Sequence, residues 1–342
     1  MKHKAIHNLI IVRSGGDIAT GIIWTLRNAG FAVLILECAR PSAIRTTVSF
    51  SEAVYAGEST VEGMRCQRAE NEQEAWNLLR KEGLALLVDP KAEAVENFSP
   101  ADNWTSHGFR LIALIDAVIA KKNLGTSREM APFVAALGPG FTAGLDCDAV
   151  IETMRGHNLG RIITEGSAMP NTGVPGTIAG HNADRVIHAP ADGLLHQVRH
   201  IGEVVEKDGV IAEIVPEEYA GAEQEDRAEF CSGAYTGTGV LIRAPFTGLL
   251  RGLIHEGYRV TEGLKIADID PRVEERENSF RISDKSRSLG GAVLLAVMMH
   301  QAGRIQRRQA TITRLEDRAL GKNGVNNTEE KDTGRFLCQK TM

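Results

Sequence analysis

Residues 9–21 read Leu9-Ile10-Ile11-Val12-Arg13-Ser14-Gly15-Gly16-Asp17-Ile18-Ala19-Thr20-Gly21. Their order decides the fold expected of the first part of the chain. Four apolar residues in a row, closed by glycines, predict a buried strand that feeds a glycine turn. Beyond the turn, Ile18, Ile22, Leu26 and Ala29 recur at helical spacing up to Gly30, which predicts a helix over 17–28. In the G-x-G-x-x-G/A pattern of a dinucleotide loop the three key positions fall on Ser14, Gly16 and Ala19, with Gly15 and Asp17 flanking them. A residue without a side chain at Gly16 lets a pyrophosphate approach the backbone, and the helix start supplies free N–H groups and a positive dipole end. Glu37 lies 21 residues beyond Gly16, at the end of the second apolar run 32–36, where a carboxylate can accept from ribose hydroxyls. Its charge favours an NAD-like ligand over one carrying a 2′-phosphate.

Working outward, strands and helices alternate. Met64–Ala69 and Leu84–Val88 predict further strands. Asn71 predicts an N-cap with Glu74 as its box partner, and Gly83 ends the helix. Such alternation implies a mostly parallel sheet. A second apolar run, 132–137, leads into Gly138-Pro139-Gly140. Gly138 and Gly140 are candidates for another anion-binding loop, a tight structural turn being the alternative. Asp146-Cys147-Asp148 follows. A thiolate at Cys147 would be a nucleophile or a soft-metal ligand, although the flanking aspartates raise its pKa. His157 sits in an expected hairpin turn, and His157 and His181 are the imidazoles that could join Cys147. The residue types name no metal.

The clearest organisational feature is a repeat. Residues 189–214 match residues 244–269 at an offset of 55, with 11 identities in 26 positions and no gap. Each unit runs turn, strand, glycine turn, strand, and is too short to bury its apolar face alone, so the two should pack together. The pattern resembles the half-motif of biotinyl/lipoyl-like barrel-sandwich domains. The stretch 215–243 between the halves contains no lysine, so no covalent lipoate or biotin is expected.

The expected fold class is therefore α/β: a Rossmann-like parallel sheet, followed by a mixed α/β segment and a β barrel-sandwich repeat module. The expected divisions are 1–98 for the nucleotide-binding unit, 99–186 for the mixed segment, 187–272 for the repeat module, 273–300 for a C-terminal helix and 301–342 for a polar, disordered tail. In the 342-residue chain 43% of residues are hydrophobic and only 5% aromatic, and the formal net charge is −5. That charge gives no pull toward nucleic acid or an anionic membrane. The five cysteines are scattered without a CxxC pair, which fits reduced thiols in a cytoplasmic protein. The apolar runs 9–12 and 292–299 are too short for a signal peptide or a membrane span.

Several blocks together resemble one family, the accessory proteins of selenium-dependent molybdenum hydroxylases (YqeB-like). They are Arg13 to Gly21 with Glu37, Ala120 to Thr126, Leu137 to Gly144 with Asp146-Cys147, Arg155-Gly156-His157, Asn171 to Gly176, Asp268 to Arg272, and Ser283-Asp284-Lys285. The chain departs from that family's pattern at Ser14, Asp148 and Met154. The resemblance implies a maturation factor that assists a molybdenum hydroxylase apoenzyme and binds a nucleotide or the phosphate of the molybdenum cofactor, with Cys147 handling sulfur or selenium. The alternative expectation is an NAD-dependent oxidoreductase acting on a small molecule, with Asp116, Lys121 and His157 as its catalytic candidates.

Overall fold

The computed structural model describes residues 7–98, 108–171, 183–216 and 239–306. The first apolar run becomes β1 (His7–Arg13), followed by α1 (Asp17–Asn28) and β2 (Ala32–Glu37). After a winding segment come α2 (Ala53–Ala56), β3 (Glu58–Val61) and β4 (Met64–Ala69). Helix α3 (Glu72–Glu82) and β5 (Leu84–Val88) complete this half. The start of α3 is capped as its sequence indicates: Asn71 accepts from the Glu74 N–H at 3.0 Å, while the Glu74 carboxylate accepts from the Glu70 N–H at 2.9 Å.

The chain then adds β6 (Phe109–Asp116), β7 (Val134–Leu137), β8 (Ala149–Ile151) and β9 (Ile162–Ile163) to the same sheet, whose order is β3-β4-β5-β2-β1-β6-β7-β8-β9. The six-strand run β5 to β8 is parallel throughout, β4 joins β5 in parallel, and β3 and β9 are antiparallel edges. Alternation along β1 splits its side chains between two cores. Ile10 and Val12 face one core, formed with α1 and with a C-terminal helix, α4 (Asp284–Gln301). Leu9 and Ile11 face the other, formed with α3.

The repeat gives eight short strands. They are β10 (Val186–His188), β11 (Gly193–Gln197), β12 (Val204–Val205) and β13 (Val210–Val215), then β14 (Val240–Arg243), β15 (Gly248–Leu253), β16 (Arg259–Val260) and β17 (Lys265–Asp270). They form two four-stranded antiparallel sheets, β10-β17-β15-β12 and β14-β13-β11-β16. Each sheet therefore takes two strands from each repeat. One hydrophobic cluster, with Leu195 and Ile214 from one sheet and Leu250 and Ile269 from the other, holds them together.

This architecture corrects the expected fold class. Among the described residues it is one nine-stranded mixed sheet with two four-stranded antiparallel sheets, which does not fit a Rossmann-like parallel sheet followed by a mixed segment and a barrel-sandwich module. The reason lies in pairing. β6 pairs directly with β1 from His7 to Arg13, with one register shift between Leu9 and Ile10, so the segment expected to pack on the first unit extends its sheet instead. Among the described residues, no helix is long and apolar enough to cross a membrane. The tail from 307 onward lies outside the described residues.

Candidate functional site

The glycine loop after β1 is closed by its own neighbours. Ser14 adopts φ +86°, a left-handed conformation that costs a residue with a side chain about 1 kcal/mol or more. Its hydroxyl accepts from the Gly16 N–H at 3.1 Å, a bond that holds the turn. Glu37 is tied to the backbone of the turn. One of its oxygens accepts from the Gly15 N–H at 2.7 Å, and the other accepts from the Cys38 N–H at 2.8 Å. The Ser49–Ser51 turn lies over Gly15, whose carbonyl accepts from the Ser51 N–H at 2.9 Å. A Cβ at Gly15 would meet that same nitrogen at 2.9 Å. Ala19 is buried against the sheet. The space between the C-terminal ends of β1 and β6, where open α/β sheets commonly take ligands, is filled by Arg13. Its guanidinium donates to Asp116 at 3.4 Å and to the Pro90 carbonyl at 2.9 Å, and Thr126 donates to Asp116 at 2.6 Å.

The second glycine loop is a packed turn. Gly138 and Gly140 both take positive φ, and a Cβ at either would strike Thr153 Oγ1 or the backbone of Lys122, at 2.7 and 2.6 Å. Cys147 is fully buried in the core on the α3 side. Burial, with Asp146 and Asp148 beside it, pushes its thiol up to about 12, so it stays protonated near neutral pH. Asp148 is itself engaged, accepting from the Val134 N–H at 2.8 Å and from Arg128 at 3.0 Å. His157 lies exposed in the β8–β9 turn, and no hydrogen bond joins it to Cys147. His181 and the rest of 172–182 lie outside the described residues. The oxidoreductase candidates are likewise not assembled: Asp116 is committed to Arg13 and Thr126, and Lys121 sits in a left-handed turn at φ +62°.

What the fold does assemble is a cleft of about 730 Å³ that sequence reading did not foresee. The N-termini of two helices open onto it. Gly16 starts α1 without a side-chain cap, and Ser283 starts α4, its hydroxyl accepting from the Ser286 N–H at 3.1 Å. The two helices cross at small residues, Gly21 against Ser286 and Thr25 against Gly290, which brings Asp17 and Ile18 to the same space as Ser283, Asp284 and Lys285. Strand β17 forms another wall with Lys265, Asp268 and Asp270, Arg251 comes from β15, and Arg185 precedes β10. Arg155 reaches in from the β8–β9 turn, and the 3₁₀ helix Val273–Phe280 and its flanks add Arg272, Glu275 and Arg281.

Seven basic residues against five acidic ones line this cleft, a positive excess in a chain whose net charge is negative. Most of the acids are already held by a neighbour. Asp268 accepts from Arg185 at 3.0 Å and from Arg251 at 2.9 Å. Asp270 takes a two-pronged bond from Arg272 at 2.9 and 2.7 Å, and Asp284 one from Arg155 at 2.9 and 3.1 Å. Burial alone would raise Asp270, but the Arg272 bonds outweigh it and hold the carboxyl below its ordinary range. Lys285 is pulled down from its ordinary value by desolvation and then by Arg155.

Near the cleft, two buried arginines carry donors without acceptors among the described residues: Nε and Nη1 of Arg185, which lines the cleft, and Nε and Nη1 of Arg45 behind it. Arg45 donates through Nη2 to the carbonyls of Asn278 and Arg281 at 2.9 and 3.0 Å, and its Nη1 lies 4.0 Å from Asp17. Desolvation, with Arg251 nearby, lowers it to about 10. Among the described residues no group of three or more His, Cys, Asp or Glu is placed to hold a metal ion. The signal for the cleft was present but scattered: the Asp268 to Arg272 and Ser283 to Lys285 blocks both end up in its wall.

No family model matches the chain. The chain is similar to the uncharacterized protein YqeB of Escherichia coli (strain K12), with 42% identity over 297 residues, covering 87% of this chain and 48% of that protein. It thus spans about half the length of the curated relative it matches. Among solved structures, the product-bound ectoine utilization protein EutE (DoeB) from Ruegeria pomeroyi aligns at 14% identity with a TM-score of 0.23, over 78% of this chain and 85% of that one. An aspartoacylase family protein from Mesorhizobium loti aligns at 12% identity with a TM-score of 0.22, over 77% and 84%. At such scores neither likeness bears on fold or chemistry. The sequence identity to the Escherichia coli protein supports a YqeB-like family for this chain.

Proposed function

We propose that this chain binds a phosphate-bearing anion in the cleft between the N-termini of α1 and α4 and strand β17, and that it serves there as an accessory factor in the maturation of a molybdenum hydroxylase. The observation that carries the binding half is the buried Arg185 guanidinium: Arg185 lines the cleft, and its Nε and Nη1 have no acceptor among the described residues. A buried donor left unpaired costs about 1–3 kcal/mol, and an anionic oxygen is the acceptor that best repays that cost. Two helix N-termini add a favourable field for negative charge. The phosphate of a nucleotide or of the molybdenum cofactor is chemistry that Arg185, Lys285 and the amides at the start of α1 fit. Glu37 holds the glycine turn, its two oxygens accepting from the Gly15 and Cys38 N–H groups. The maturation half is supported by the sequence blocks shared with the accessory family.

Two measurements test the reading. At matched ionic strength, ADP should raise the melting temperature, and a ligand at a hundred times its Kd adds about 2.7 kcal/mol of apparent stability. Lys285→Ala should weaken that shift. A hydroxylase prepared from cells lacking this chain should be inactive and regain activity when the chain is restored. Absence of any anion-dependent shift sinks the binding half, and full hydroxylase activity without the chain sinks the maturation half.

A further inference from the structure

We infer that the cleft recognises a diphosphate group by itself, with no pocket for a nucleobase; the inference rests on the phosphate-binding reading of the same cleft. Four observations carry it. The volume of about 730 Å³ lies in the range of sites for ligands far larger than one phosphate. The cationic donors stand on separate walls: Arg185 and Lys265 on the side of the two small sheets, and Lys285 with the two helix N-termini on the other. One phosphoryl group satisfies one wall, whereas two linked groups address both. Arg185 supplies buried N–H groups that have no acceptor among the described residues, and an anionic oxygen would satisfy them.

The fourth observation concerns what a base would need. Ile18 and Ile282 are the only apolar side chains among the described residues that line the cleft, and none of the lining residues is aromatic. Bases are held by stacking on aromatic faces or by apolar slots, and this cleft presents neither. Three of the five lining carboxylates, Asp268, Asp270 and Asp284, are each bonded to an arginine, so their repulsion of a second anion is muted. The ligand class is therefore inorganic pyrophosphate or a diphosphate ester of a small polar alcohol.

Isothermal titration of the full chain without added divalent metal tests this, with pyrophosphate, methyl diphosphate, orthophosphate, ADP and adenosine. The expected result is pyrophosphate and ADP within threefold of each other, orthophosphate at least tenfold weaker, and adenosine without heat. Methyl diphosphate within threefold of pyrophosphate upholds the inference with an ester as the natural form. Pyrophosphate tighter by tenfold upholds it with the free anion. ADP tighter than pyrophosphate by tenfold, or orthophosphate equal to pyrophosphate, overturns the inference while leaving the phosphate cleft standing. No binding of any phosphate overturns both. Lys285→Ala should lower pyrophosphate affinity about tenfold. Arg185→Lys should lower it as well, and because Arg185 also holds Asp268, the exposed-wall variant Lys265→Ala provides the control should the arginine variant not fold. Unchanged affinity in both lysine variants overturns the assignment.

Discussion

Placing a methyl group at the crossing of α1 and α4 should show how tightly the cleft is set. In Gly21→Ala the new Cβ would lie 2.6 Å from Ser286 Cβ and 2.8 Å from its carbonyl carbon. Carbon atoms rest at about 3.5–4.0 Å, so the helices must part by about 1 Å. Overpacking of this kind costs about 1–3 kcal/mol, against about 1 kcal/mol that alanine gains over glycine inside a helix. The clash involves backbone atoms on α4 and cannot be relieved by a rotamer, so the cost should prevail, by up to about 2 kcal/mol. With an unfolding entropy of about 2.1 cal/mol/K per residue over 342 residues, each kcal/mol shifts the midpoint by about 1.4 °C, so calorimetry should record a loss of up to about 3 °C. Gly291→Ala provides the opposite sign within the same helix. Gly291 is exposed and a Cβ there meets nothing within 4 Å, so it should gain about 0.5–1 kcal/mol. Because the crossing brings both N-termini to the cleft, Gly21→Ala should also weaken pyrophosphate binding and Gly291→Ala should not. Equal stabilisation by the two variants would refute the tight crossing.

Other outcomes follow from the same geometry. Glu37→Gln should destabilise by about 1–3 kcal/mol, since an amide cannot accept from both the Gly15 and Cys38 N–H groups without a donor facing a donor; chemical denaturation measures it. Cys147, buried with a thiol near 12, should resist alkylation in the native protein at pH 7.5, and Cys147→Ala should leave phosphate binding unchanged; rapid labelling would refute its place in the core. Asp270 is held below its ordinary value of about 3.9 by Arg272. It therefore stabilises the fold above that pH, and the contribution should fade as pH drops through its lower folded value. The melting temperature should fall below about pH 4, and the fall should be shallower in Arg272→Met.

Much of the local structure could be read directly from residue order. The run 9–12, the helical spacing from Ile18 and the Asn71 cap each name their element, because short-range sterics and hydrogen bonding set them. The repeat was equally legible as a number, an offset of 55. Its pairing was not, because self-similarity does not say which half supplies a strand's neighbour. Glu37 was correctly placed at the end of β2, yet nothing in its spacing says that it turns inward to the Gly15 amide. The cleft was the least legible feature. Arg155, Arg185, Arg251 and Lys285 each look like an ordinary solvated charge in sequence, and only the tertiary fold brings them to one space.

The distribution of strands between the two small sheets has a further consequence. β12 bonds to β15 and β16 bonds to β11, so each copy of the repeat reaches across and completes the other's sheet. The halves are clasped like two hooked hands. Either copy expressed alone would leave strand edges bare, and a cut in the backbone between Val215 and Val240 would leave two pieces that still grip one another.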